Sequence, residues 1–193
     1  VTVRGGDSYC GIYCGACDIR LAGETGKKSR LAEFWNEPTL LAFHKAQGLP
    51  APSGPALKLR CDGCKSDEPF VNCRTCKLRA CARGRNLEHC SACADFPCAL
   101  YRGWRKVGSV LPHVELCSGN LQTIEAAGVE RWLSEQEQRW RCPECRARIG
   151  WYSERCATCG ADVRALTLRF SSVKALFLRL AITLLRPLRG DAT

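Results

Sequence analysis

Sixteen cysteines carry most of the chemistry open to this 193-residue chain. In RCPECRARIGWYSERCATCGADV the pair Cys142/Cys145 is separated by ten residues from the pair Cys156/Cys159. Each two-residue gap lets both sulfurs and the backbone N–H groups between them turn toward one ion. Four thiolates with no open position describe a structural zinc ribbon, and a closed site of that kind holds fold together without catalysing anything. The ten-residue spacer suits a short hairpin, with Ile149, Trp151 and Tyr152 as strand-forming residues. Arg146 stands where such a knuckle prefers glycine. Rubredoxin-like iron is the competing reading of four thiolates, but its knuckles lie much farther apart.

Eleven more cysteines precede Leu116 in four groups: Cys10, Cys14 and Cys17; Cys61 and Cys64; Cys73, Cys76 and Cys81; and Cys90, Cys93 and Cys98. The last two groups repeat one spacing, two residues then four. A group of three leaves an ion one ligand short, so distant segments must share ions. Eleven sulfurs do not divide into fours, so use of all of them requires a twelfth ligand such as Cys117, His44, His89 or His113, or a bridged cluster. Cys117 reads more simply as a buried free thiol and His89 as a non-ligand. If all cysteines bind, about four zinc ions per chain are expected. An iron–sulfur cluster in the segment Cys61 to Cys98 is the alternative, because thiolates accept either metal. The spacing of Cys10, Cys14 and Cys17 also matches the radical S-adenosylmethionine signature. Such enzymes need a series of βα units, and the next 100 residues offer none.

The elements that must position these groups are short. SRLAEFWN and EPTLLAFHKAQGLP predict two helices, with Pro38 in a first turn and Gly48 and Pro50 as stops. PAPSGP, 50–55, is a loop. Residues 120–140 predict two helices broken at Gly128, with Asn120 as N-cap. The expected architecture is a small, metal-stabilised α+β protein with a cysteine-knuckle domain over 1–116, a helical connector over 117–140, a zinc ribbon over 141–163 and a basic tail helix over 164–193. In that tail Leu166, Phe170, Val173, Phe177, Leu180 and Leu184 form one seam, with Arg164, Arg179, Arg186 and Arg189 opposite. Lys174 and Arg179 interrupt any transmembrane span. The 166–184 helix suits a protein partner, an anionic membrane surface or packing on its own domain.

The strings YCGIYCGAC at 9–17, CDGC at 61–64, CRTCKLRACARGRNLEHCSACADFPC at 73–98 and GNLQTIEAAGVERWLSEQEQRWRCPEC at 119–145 resemble the domain of unknown function 3795 family. The resemblance covers about residues 8–160. It implies a bacterial or archaeal cytoplasmic protein with a cysteine-rich zinc-binding domain, often followed by a ribbon, and brings no established activity.

Composition narrows the role. Hydrophobic residues at 46% and five tryptophans exclude a disordered or collagenous chain. Residues 1–20 lack the apolar run of a secretory signal, and Cys-x-x-Cys pairs suit metal better than disulfides, so a reducing cytosol is expected, with peripheral membrane contact through the tail as an option. With three histidines and no phosphate loop, no catalytic constellation is visible, and Asp62, Asp67 and Asp95 read as solvated turn residues. The net charge of +10, with Arg60, Arg74, Lys77, Arg79, Arg83 and Arg85 among the cysteines, raises nucleic-acid binding as an alternative. Offsetting the charge of thiolate sites is the simpler explanation of those cations. The expected role is therefore a binding or assembly module with structural metal sites, and the sequence leaves the question of a small-molecule substrate open.

Overall fold

The computed structural model describes residues 5–50, 59–169, 171, 173, 174, 176, 177 and 180. Up to Arg139, short α-helices among the described residues follow in the order α1 (Asp18–Thr25), α2 (Arg30–Phe34), α3 (Glu37–Ala46), α4 (Val71–Arg74), α5 (Lys77–Gly84), α6 (Ala99–Arg105), α7 (Cys117–Ala127) and α8 (Val129–Arg139). Local chemistry accounts for several boundaries. Asn36 caps α3 by accepting the Thr39 N–H at 3.1 Å, Pro38 occupies its first turn, and Gly48 follows with φ +66°. Gly128, at φ +84°, separates α7 from α8 as expected.

Asn120 is not the N-cap of α7. The helix continues from a 3-10 turn over Pro112–Leu116, which places Asn120 inside it, buried, with its Nδ2 donating to the Gly11 carbonyl at 2.8 Å. Gly11 permits that approach: a Cβ there would stand 2.5 Å from the Cys117 carbonyl oxygen, and its φ is +90°.

One buried core runs from Cys10 to Val163. Its centre is Trp132 of α8, fully buried and edge-on to Tyr13 at 5.9 Å between ring centroids. A second knot of rings ties α2 and α3 to the start of α4: Trp35 meets Phe34, Phe43 and Phe70 at 5.0, 5.3 and 5.2 Å. Edge-to-face packing of this kind adds about 0.5–1.5 kcal/mol per pair beyond burial.

The β half of the expected α+β architecture, and the ribbon hairpin with it, does not form among the described residues. Only two isolated antiparallel bridges occur, Arg141 with Arg148 and Arg155 with Asp162. The reason is tertiary. The Trp151 N–H donates to the Ala16 carbonyl at 3.0 Å, and the Trp151 carbonyl accepts from the Leu168 N–H at 2.6 Å, so this backbone is engaged by distant segments rather than by a hairpin partner. Trp151 and Tyr152 are buried, and Asp18 accepts the Tyr152 N–H at 3.3 Å. Gly150 allows that seat, since a Cβ there would lie 2.7 Å from the Asp18 Oδ1. Ion pairs from Arg148 to Glu24 and from Arg30 to Glu154 close the same junction.

Of the tail seam, Phe170 and Leu184 lie outside the described residues, as do Arg179, Arg186 and Arg189. Val173, Phe177 and Leu180 are helical and 64%, 67% and 46% exposed, so the described part of the chain leaves this seam uncovered. Among the described residues no helix is long and apolar enough to cross a membrane.

Candidate metal centre

The two C-terminal Cys-x-x-Cys knuckles, Cys142/Cys145 and Cys156/Cys159, whose segment is here termed the ribbon, are built alike. The Cys142 N–H donates to the Ala147 carbonyl and the Cys156 N–H to the Ala161 carbonyl, both at 2.8 Å. The Arg146 and Gly160 N–H groups return to the Cys142 and Cys156 carbonyls, both at 2.9 Å. This pattern requires a left-handed residue after each second cysteine, and Arg146 at φ +61° matches Gly160 at φ +77°. All four sulfurs lie within 4.8 Å of one another, with Cys142 to Cys159 at 3.7 Å and Cys145 to Cys156 at 3.6 Å. A tetrahedral ion with metal–sulfur bonds of about 2.3 Å separates its sulfurs by about 3.8 Å. The donor set therefore fits one zinc-sized ion before any ion is considered. Burial pushes the Cys156 thiol up, but N–H groups of Cys159 and Thr158 and the neighbouring thiols outweigh it and bring it to about 6.

A left-handed conformation costs a residue with a Cβ about 1–2 kcal/mol, part of which glycine returns as entropy in the unfolded chain. Arg146→Gly is expected to stabilise the protein by about 0.5–1 kcal/mol, seen as a higher denaturant midpoint with unchanged slope. An unchanged or lower midpoint would mean that Arg146 contributes contacts beyond its backbone.

The N-terminal cysteines gather without closing to single-ion distances. Cys10, Cys14, Cys17, Cys61, Cys64, Cys73 and Cys76 line one cavity of about 580 Å³. Cys81, Cys90, Cys93 and Cys98 line another of about 320 Å³. Among the described residues, only the ribbon brings three or more ligand atoms within 4.8 Å of one another. The triplet Cys73, Cys76 and Cys81 is thus divided between two cavities. Cys76 caps α5 and Cys81 lies five residues on, about 140° further round the helix at 100° per residue. By contrast Cys90, Cys93 and Cys98 stay together. Burial raises four thiols of the larger cavity: Cys17 and Cys64 to about 12, and Cys14 and Cys73 well above their ordinary value. Such groups stay protonated at neutral pH.

Cys117 is fully buried, as expected, and pairs with Cys10, a contact that sequence reasoning missed. The Cys117 hydrogen bond brings the Cys10 thiol down to about 7, and Cys117 is pushed up in return. His89 is bound through Nε2 to Asp7 at 3.0 Å, and Asp7 also meets Lys65 at 2.7 Å. Those two partners outweigh desolvation and hold the Asp7 carboxyl at about 2.

Four arginines around the cysteines have intramolecular partners. Arg79 donates to the Cys64 and Ser66 carbonyls at 2.8 and 2.9 Å, and Arg85 contacts the Cys93 sulfur at 3.1 Å and Asp95 at 2.9 Å. Arg74 pairs with Glu68 at 3.1 Å and Arg83 with Asp67 at 3.7 Å.

His113 stacks on Trp151 at 4.0 Å, and its Nδ1 shares a 2.7 Å hydrogen bond with the Tyr152 hydroxyl. Burial lowers its pKa to about 3. The unfolded chain, titrating near the ordinary value of about 6.5, binds the extra proton first, so stability falls as pH drops from about 6.5 toward 3. Above that window the group has no pH effect. The His113 contribution should amount to a few kcal/mol across the window, and His113→Gln should flatten the stability slope between pH 6.5 and 5. An equal slope in both proteins would contradict the buried neutral ring.

With this geometry in place, the family described as Protein of unknown function (DUF3795) matches residues 7–103. The chain belongs to this family. The match covers both N-terminal cavities' cysteines and ends at Gly103, so α7, α8 and the ribbon lie beyond it, including the string at 119–145. No curated protein and no solved structure matches the chain.

Proposed function

We propose that the chain is a zinc-binding protein whose metal sites are structural, and that it works as a cytoplasmic binding or assembly module. The observation that carries this reading is the ribbon: four sulfurs at 3.6–3.7 Å across the site fill a tetrahedral ion and leave no position for substrate. Bound zinc would supply folding energy there and no reaction. Cys81, Cys90, Cys93 and Cys98 offer the thiols for a second such site in the smaller cavity.

The intramolecular pairing of Arg74, Arg79, Arg83 and Arg85 supports a protein partner over nucleic acid, since these cations already serve backbone carbonyls, carboxylates and a thiol. The exposed seam of Val173, Phe177 and Leu180 is the surface proposed for that partner.

Cobalt substitution tests the structural role. A cobalt-loaded chain should show the spectrum of a tetrahedral four-thiolate site, unchanged on addition of cyanide or azide. A spectrum that shifts with those ligands would reveal an open coordination position and sink the structural reading. Salt-dependent binding of random-sequence DNA, weakened by neutralising Arg74, Arg79, Arg83 and Arg85, would favour the nucleic-acid reading instead.

A further inference from the structure

We propose that the partner of the exposed seam is an acidic amphipathic helix of another protein, one that carries an apolar stripe between rows of aspartate and glutamate. This rests on the protein-partner reading above and gives that partner its chemistry. The seam's anchoring, its spacing and the charge around it carry the inference.

The helix that bears the seam starts at a fixed place on the core. The Leu168 N–H donates to the Trp151 carbonyl at 2.6 Å, and the Thr167 hydroxyl donates to the Ser153 carbonyl at 2.8 Å. Ser171 then serves as an N-cap, its Oγ accepting the Lys174 N–H at 3.3 Å, while the Lys174 ammonium reaches the Ser109 carbonyl. These bonds engage the polar groups at the helix start and leave Val173, Leu176, Phe177 and Leu180 exposed. Val107, in the 3-10 turn Lys106–Ser109 that Lys174 reaches, is exposed as well.

Leu166 lies in a turn before this helix, so the stripe on the helix begins at Val173. Val173, Phe177 and Leu180 are spaced four residues and then three. That is the spacing at which one helix keeps a single row of side chains against another.

The charge around the stripe has one dominant sign. Between Asp162 and Asp191 the sequence holds six basic residues and no acid. Arg169 is exposed just before the helix, and Arg105 and Lys106 are exposed next to Val107. Arg164 is already paired with Asp162, and Glu115, packed against Gly108, adds one negative charge to this rim. A second copy of the chain would bring a rim of the same sign against it, which disfavours pairing. Carboxylates beside the partner's stripe would complement the rim, fix the register and speed the encounter, while the apolar contacts supply most of the affinity.

The test uses the full, zinc-supplied chain and two synthetic helical peptides of about three heptads with the same leucine stripe, one flanked by glutamate and the other by glutamine. At low salt the glutamate peptide should bind about tenfold more tightly, and its advantage should shrink as salt rises. Phe177→Asp should weaken its binding by about tenfold, and Arg105→Gln combined with Arg169→Gln should cut its advantage several-fold, with far-ultraviolet circular dichroism unchanged. If the variants fail to fold, the two peptides on the unaltered chain decide. Equal binding of both peptides overturns the acidic partner and leaves a protein partner standing. Binding of neither peptide overturns it too; if vesicles of phosphatidylcholine and phosphatidylserine then retain the chain, the protein-partner reading falls with it. A chain that sediments as a dimer, and as a monomer once Phe177→Asp is introduced, would make the occupant a second copy and overturn the proposal.

Discussion

If Cys142, Cys145, Cys156 and Cys159 hold zinc as proposed, removing it is expected to unfold residues 141–163 and to loosen the helices they pack against. Structural zinc contributes about 10–16 kcal/mol of apparent binding energy in small thiolate sites, more than most domains have in total stability. Here the loss would spread, because Cys142 is fully buried and Ile149, Trp151 and Tyr152 belong to the common core. Without the ion, Cys142 and Cys156 would be two buried thiols with nothing to hold the knuckles together. Cys142→Ser, or a strong chelator, should therefore abolish ribbon zinc and cost several kcal/mol. It should also change the fluorescence of Trp140 and Trp151, both buried in the core that includes Cys142 and Cys156. Cys145→Ser should have a similar effect on zinc although Cys145 is exposed, since a tetrahedral ion needs its fourth ligand wherever it sits. A ribbon that keeps its near-ultraviolet circular dichroism after complete zinc removal would show that packing alone maintains it.

Trp132→Ala should be the most damaging apolar substitution. The side chain is fully buried at the centre of the core, edge-on to Tyr13, and truncation of a buried tryptophan costs about 3–5 kcal/mol. That is a large share of the roughly 5–15 kcal/mol available to a domain, so the variant should be partly unfolded or precipitate on expression. Trp132→Phe should be milder. Among the described residues the indole Nε1 has no hydrogen-bond partner, so the phenyl ring removes an unsatisfied buried donor while keeping most of the apolar area. Chemical denaturation of both variants checks this order; equal losses would mean that the shape of the indole, rather than buried area, decides the packing.

The legible parts of the chain were those written in short-range pattern. Pro38, Gly48 and Pro50 announce α3, and Gly128 announces the break between α7 and α8. The ribbon is legible for the same reason: a Cys-x-x-Cys turn brings its own two sulfurs together within four residues. Even Arg146 stood out as the residue in a glycine's place, and its backbone is left-handed. Helix α1 was hidden by the cysteines before it, and Asn120 was misread because its partner, Gly11, is 109 residues away. The strand-like Ile149, Trp151 and Tyr152 carry β propensity, yet the Trp151 backbone is engaged by Ala16 and Leu168, and the Ile149 and Tyr152 N–H groups go to the Trp140 carbonyl and the Asp18 carboxylate. Propensity describes fitness for a half-buried pleat, and that segment packs as a turn instead.

Sequence alone determined that the chain is organised by thiolates and that Cys142, Cys145, Cys156 and Cys159 can share one ion, because both follow from residue type and local spacing. Only the tertiary structure decided how the other cysteines divide. Cys81 leaves its triplet because five residues carry it about 140° round α5 from Cys76, and Cys10 meets Cys117 across more than a hundred residues. Helix rotation and long-range packing set those neighbours, and neither leaves a pattern in consecutive residues.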